Sequence, residues 1–281
     1  MTVNGSGNHL PELNEDYAVT AKQIQDFQQH GHAVLRGVAS QEEVAAYQPV
    51  VVDAARRLNK EKRSLQERDT YGRAFLQISN IWEKDEQVKR FVMARRFAKI
   101  AAELMGVDGV RVYHDQALFK EPGGGHTPWH QDQIYWPLET NNTITMWMPL
   151  INISEEMGSM TFADESHRWE TLNRLEISDR SHAYIKDFIA DNQLRCVTHG
   201  AMAAGDATFH YGWTLHSAPN NPTDRVREVM TVIYYEDGTR VMQPDSKARD
   251  TDLKLWFPGL QPGDLAASEL NPLVYSSNSI S

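Results

Sequence analysis

A single cysteine, Cys196, is all the thiol this 281-residue chain has, so it can form neither an intrachain disulfide nor a thiolate metal cluster. That scarcity fits a reducing compartment, and a cytoplasmic location is expected. Long apolar runs are missing too: none approaches the ~18 residues that a membrane-crossing helix needs, so no membrane partner is expected. The opening residues, MTVNGSGNHL, contain neither the basic stretch nor the apolar segment of a secretory signal. Basic residues are outnumbered, 28 Lys and Arg against 38 Asp and Glu, and they are scattered rather than striped, which argues against a nucleic-acid partner. What is present, 41% hydrophobic and 23% charged residues, can bury a full core. The expected class is a soluble protein acting on a small molecule.

The first third reads as helical. Thr20 with Gln23 makes a capping-box pattern ahead of Ile24 and Phe27, and Gly31 stops that helix. HAVLRGV, residues 32–38, reads as a short strand. A second capping box, Ser40 with Glu43, precedes Val44, Tyr47, Val51, Ala54 and Leu58, the spacing of one helical face. Pro49 falls inside that pattern and is expected to kink or divide it. Residues 59–80 are polar and read as a solvated loop. A third helix is expected from about Asp85 to Leu104, with Gly106 as its stop.

From residue 110 the pattern changes to period two. VRVYHDQALFK, TITMWMPLIN, SMTFA, HGAMAAG, DATFHYG and REVMTVIYYE read as strands between Gly, Pro, Asn and Asp signals. The expected fold is mainly β with N-terminal helices, a jelly-roll or sandwich with the helices packed outside. One domain over 1–281 is the simplest reading: a helical part at about 15–106, a β core at about 110–237 and an extension at 238–281.

Chemistry concentrates in TPWHQDQIYWP, residues 127–137. In a strand, His130 and Asp132 point to one face and Gln131 to the other. Pro128 and Pro137 disfavour a helix, on which the two would diverge. A pair cannot hold a catalytic metal, and His216 in GWTLHSAPNN, at a strand end, is the best third ligand. Two histidines and a carboxylate with open positions suit non-heme iron(II); zinc hydrolysis uses a similar set. Eleven residues beyond His216, Arg227 opens REVMTVIYYE and shares parity with Val229, Thr231 and Ile233. An inward arginine needs an anionic partner, either a dicarboxylic co-substrate held in two bonds or a protein carboxylate.

Together these residues resemble the phytanoyl-CoA dioxygenase-like branch of the iron(II)/2-oxoglutarate-dependent oxygenases. The matching stretches are TPWHQDQIYWP, TITMWMPLINISEEMGSMTFADESH, GDATFHYGWTLHSAPNN, VTAKQIQDFQQHGHAVLRGVAS near the start and LKLWFPGLQPGD near the end. The resemblance implies a double-stranded β-helix, iron held by His130, Asp132 and His216, and 2-oxoglutarate with its far carboxylate on Arg227. Gln116 and Lys120, on one strand face, match places from which the family reaches the co-substrate. Thr127 and Trp147 are its expected neighbours, although Trp147 reads equally as core. His167 matches a structural turn rather than a ligand. Two departures stand out. Ala218 replaces a serine often found two residues past the distal histidine, leaving Ser217 as an alternative donor, and Glu165 replaces a turn glycine.

The implied reaction consumes O2 and 2-oxoglutarate, releases succinate and CO2, and oxidises an unactivated carbon. Halogenases of this kind lack the carboxylate, so Asp132 favours hydroxylation, or desaturation, ring closure or epoxidation. Phe75, Tyr135, Trp136 and Trp213 are candidate pocket walls. The acidic balance speaks against a coenzyme A thioester and for a small secondary metabolite.

Overall fold

A computed structural model of the chain describes residues 10–170, 172 and 175–278. Helix α1 (Ala21–His30) begins at the expected capping box, with Thr20 accepting from the Gln23 amide, and ends at Gly31 in the left-handed region at φ 81°. Strand β1 (His32–Leu35) follows. Helix α2 (Gln41–Leu58) starts at the Ser40/Glu43 box and runs through Pro49 unbroken. Ala45 and Pro49 both lie on its exposed side, so the carbonyl that loses its donor faces water, while Val44, Tyr47, Val51 and Ala54 hold the opposite face in the core.

The segment expected as a loop is more ordered than that. It contains helix α3 (Thr70–Ala74) and strand β2 (Leu76–Ser79), which pairs with the strand that follows. The expected third helix is two, α4 (Glu86–Val92) and α5 (Arg95–Met105). The break at Met93–Ala94 redirects buried Arg96 to Glu43, at 2.7 and 3.0 Å, and to the carbonyls of Glu15 and Val38. No sequence breaker marks it; a tertiary ion pair sets it.

The β core comprises β3 (Gly109–Lys120), β4 (Thr127–His130), β5 (Thr143–Pro149), β6 (Thr161–Ala163), β7 (Cys196–Thr198), β8 (Ala207–Tyr211), β9 (His216–Ala218) and β10 (Arg227–Glu236), with helix α6 (Asp179–Asp191) between β6 and β7. Residues 199–205, expected as a strand, form only an isolated bridge between Met202 and Ile153. The C-terminal extension supplies helix α7 (Lys247–Trp256) and strand β11 (Leu273–Ser276).

Strands pair antiparallel into two sheets. The larger has seven strands in the order β1-β8-β5-β10-β3-β11, with β2 also on β3; the smaller runs β4-β9-β6-β7. Both terminal regions therefore add strands to the larger sheet. The two sheets make the double-stranded β-helix expected for this pattern. The outer face of the larger sheet packs on the helices through residues such as Phe27, Tyr47, Phe91, Phe97, Met146 and Phe209. Its inner face, carrying alternate residues, is left to line a cavity.

Candidate metal centre and its cavity

His130 closes β4 and His216 opens β9, and the antiparallel register sets them directly opposite. Their ring centroids lie 4.0 Å apart. Each imidazole is tied the same way: His130 Nδ1 to the Pro128 carbonyl at 2.7 Å, His216 Nδ1 to the Thr214 carbonyl at 2.9 Å. A carbonyl only accepts, so both Nδ1 atoms carry the proton and both Nε2 lone pairs are free for a metal.

Asp132 is not on the strand, as its spacing suggested, but opens a 3-10 turn (Asp132–Ile134) two residues beyond the strand's end. The turn still brings the carboxylate to the histidines. Oδ1 lies 3.4 Å from His130 Nε2 and 3.7 Å from His216 Nε2. One ligand atom from each of the three falls within 4.8 Å of the others, the only such His/Cys/Asp/Glu group among the described residues. Burial opposes ionisation of Asp132, yet the imidazoles around it, His216 foremost, hold its carboxyl well below the usual range. Burial and His130 keep His216 neutral. Both groups thus stand in the protonation states that metal binding requires.

Gln131 points away, as expected, donating to the carbonyls of Trp213 and Trp169. The other Asp132 oxygen, Oδ2, has neighbours that sequence reasoning missed. Thr145 donates to it at 3.3 Å, and His210 Nε2 lies 3.4 Å away. Thr145 and His210 are cross-strand partners on β5 and β8. A signal for His210 existed: it has opposite parity to Ala207 and Phe209, which fill the helix-facing core, so it had to point inward.

The centre lies in a cavity of about 470 Å³. Its closed end is lined by Arg227, only 1% exposed, with Lys120 fully buried beside it, behind the wall. They are direct cross-strand partners on β10 and β3, a placement of like charges that costs stability unless an anion joins them. Arg227 donates Nη1 to the Gly158 carbonyl, leaves Nε unpartnered and stacks 5.2 Å from the Trp147 ring. Lys120 reaches the Gly125 carbonyl and, at 3.5 Å, Thr127 Oγ1. Neither cation has a carboxylate within 4 Å among the described residues, which excludes the protein salt bridge as Arg227's partner. Burial draws Arg227 down to about 9; burial and the Arg227 charge draw Lys120 down to about 6. Gly158, at φ 81°, closes this end, because a Cβ there would come within 2.9 Å of the Pro219 carbonyl and 3.2 Å of Arg227 Nη1.

Gln116, Thr127, Trp147, Phe75 and Tyr135 all line the cavity, as does Ala218, whereas Ser217 does not. Trp147 also belongs to a core cluster with Phe75, Leu118 and Met160. Trp213 is a correction: it is outside the cavity wall, with Nε1 bonded to Asn141 Oδ1 at 2.9 Å. Trp213 lies in the turn between β8 and β9. His167 stacks on Tyr211 away from the centre. Glu165 has φ 59°, which explains a glycine preference at that turn. Further walls come from Tyr71, His114 and Asp252, which no local motif marked, and from Trp256, within LKLWFPGLQPGD.

The family model of phytanoyl-CoA dioxygenase (PhyH) matches residues 27–229. The chain belongs to the phytanoyl-CoA dioxygenase family. Among curated proteins it is 23% identical over 146 residues to a probable alpha-ketoglutarate-dependent hypophosphite dioxygenase of Stutzerimonas stutzeri; the match spans about half of each chain, 50% of this one and 51% of the relative. Among solved structures, the non-heme alpha-ketoglutarate-dependent carbocyclase SnoK from nogalamycin biosynthesis is 26% identical with a TM-score of 0.75, over 91% of this chain and 96% of its own. The epimerase SnoN, solved in complex with Fe3+, alpha-ketoglutarate and nogalamycin RO, is 25% identical with a TM-score of 0.72, over 90% and 97%. The family-model match ends before α7, while the similarity to SnoK extends over 91% of the chain.

Proposed function

We propose that this family member is an iron(II)- and 2-oxoglutarate-dependent oxygenase that hydroxylates an unactivated carbon of a small molecule, a secondary metabolite by class. The observation that carries the reading is the juxtaposition, in one cavity, of the His130–Asp132–His216 group with the buried Arg227, which has no carboxylate partner among the described residues. The donor set of two imidazoles and one carboxylate suits iron(II) with positions left open. The Arg227 guanidinium suits the far carboxylate of a dicarboxylic acid, and the relatives named for alpha-ketoglutarate support that assignment.

Bound iron with 2-oxoglutarate and O2 supplies oxidising power sufficient for an unactivated C–H bond, with succinate and CO2 released. The chain's own residues position and shield. His130, Asp132 and His216 would hold the metal. The backbone carbonyls of Pro128 and Thr214 keep both rings in the ligating tautomer, and Thr145 and His210 hold the second oxygen of Asp132. Arg227 would fork onto the co-substrate carboxylate, with Thr127, Gln116 and Lys120 beside it and Trp147 stacked behind. Phe75 and Tyr135 would face the substrate.

Anaerobic addition of iron(II) and 2-oxoglutarate tests the reading. A visible metal-to-ligand charge-transfer band, followed by succinate release when oxygen is admitted, is the expected result; no band and no succinate would overturn it. A second reading, ring closure or epimerisation, is favoured by what the two most similar structures named above are called. Product mass separates the outcomes: gain of one oxygen for hydroxylation, loss of two hydrogens for ring closure, no change for epimerisation.

A further inference from the structure

The cavity is polarised. All of its basic lining, Arg227 alone among the described wall residues, belongs to the closed end. The open end is marked by exposed Asp69, Glu176 and Leu255 and carries carboxylates instead: Asp69, Glu176 and Asp252. These three are not equivalent. Asp69 is spent as the N-cap of α3, accepting from the Gly72 amide. Glu176 has no ion pair among the described residues. Asp252 is aimed from α7, with the fully buried Tyr113 donating its hydroxyl to Oδ2 at 2.7 Å.

Aromatic rings frame the acids. Trp256 lies 4.7 Å from His114, and Tyr135 is pinned by the Ile177 amide, which donates to its hydroxyl at 2.9 Å and so fastens the segment bearing Glu176. Independent of the acids, His114 is 5% exposed, lines the cavity and leaves Nδ1 without a partner. A buried, unpartnered ring nitrogen at a cavity wall requires hydrogen bonding from whatever fills the space.

We propose that the open end takes the protonated amine of a ring-bearing substrate, with Asp252 and Glu176 as its counter-charges, Trp256 and Tyr135 as its aromatic walls and His114 as a hydrogen-bonding partner. This names the substrate class for the proposed oxygenase and rests on that reading. Carboxylates at this end, with no Lys or Arg lining it among the described residues, repel an anionic substrate, and aromatic faces beside them favour a cation. The closed end, already suited to a dicarboxylate, leaves the amine nowhere else to go.

The test uses protein loaded with manganese(II) and 2-oxoglutarate and the indole series tryptamine, tryptophol and indole-3-propionate, repeated on phenyl and naphthyl skeletons. Dissociation constants are measured by ligand-observed NMR for the natural protein and for Asp252→Asn combined with Glu176→Gln. Each amine is expected to bind about tenfold tighter than its carboxylate analogue, and the double variant should bring that ratio close to one while 2-oxoglutarate affinity stays unchanged. Equal or tighter binding of the alcohols or carboxylates, no binding by any amine, or a preference that survives the double substitution would overturn the proposal. Failure of 2-oxoglutarate itself to bind would instead overturn the oxygenase reading, a separate and prior measurement.

Discussion

His210 offers Asp132 a nitrogen at 3.4 Å and has no hydrogen-bond partner on either ring atom, so its effect should pass through the orientation of that carboxylate. Replacing it by phenylalanine keeps the ring volume and removes the contact. Iron(II) affinity, measured by competition with a chelator, should fall by about 10–100-fold, the usual cost of losing an outer partner of a ligand, with thermal stability little changed. Unaltered affinity would make His210 a packing residue. Arg227 allows a sharper experiment. In the co-substrate-free protein its buried charge is uncompensated, so Arg227→Met should leave the melting temperature equal or raise it. The same substitution should weaken 2-oxoglutarate binding by at least tenfold while iron binding persists. A protein that melts much earlier would show that the guanidinium is structural.

Among the elements, the hinge between α1 and β1 is tightly constrained. Gly31 is left-handed, and a Cβ on it would come within 2.2 Å of His167 Nδ1 and 2.9 Å of Thr214 Oγ1. Gly31→Ala should therefore destabilise the fold by about 2 kcal/mol or more, read by denaturant unfolding. It should also disturb iron binding, since Thr214 provides the carbonyl that orients His216. Features of this local kind were legible in the sequence: both capping boxes, the Gly31 and Gly106 stops, the inward parity of Arg227 and the His130/Asp132 pair. Each is written in a few adjacent residues. What was not legible depends on contacts distant in sequence. The α4–α5 break answers to Glu43, β2 is a strand because β3 pairs with it, and Asp132 reaches its place by a turn rather than a strand. Trp213 misled for the same reason, its direction being set by Asn141.

Taken as a whole, the molecule also carries a fully buried carboxylate unconnected with the centre. Asp115 is fully buried, accepts from the amides of Ile81 and Trp82 at 3.1 and 3.2 Å, and is pushed up to about 7 by burial. A carboxyl whose folded value is raised binds its proton more tightly in the folded state. Its contribution is therefore fully present below about pH 4 and lost as pH rises through about 7. Buried His32 and His199, drawn down to about 3 and about 4 chiefly by burial, act in the opposite sense between those values and 6.5, which masks the trend in the natural protein. Asp115→Asn isolates it: the stability of the natural protein relative to the variant should decline between pH 4 and 7, by up to about 1.4 kcal/mol per pH unit. A difference that stays level with pH would mean that Asp115 is already ionised in the fold at pH 4.

Helix α7 has two faces with separate duties. Leu253 and Phe257 anchor it in a core cluster with Tyr113 and Trp136, while Asp252, Leu255 and Trp256 turn to the cavity. The anchoring side chains can stay constant while the cavity-facing ones vary, and the metal ligands, far off on other strands, are untouched by either. The metal ligands and the cavity-facing side chains of α7 therefore lie in separate stretches of the sequence. Substitutions at Asp252, Leu255 and Trp256 can reshape that part of the cavity without touching a metal ligand or the anchoring residues Leu253 and Phe257.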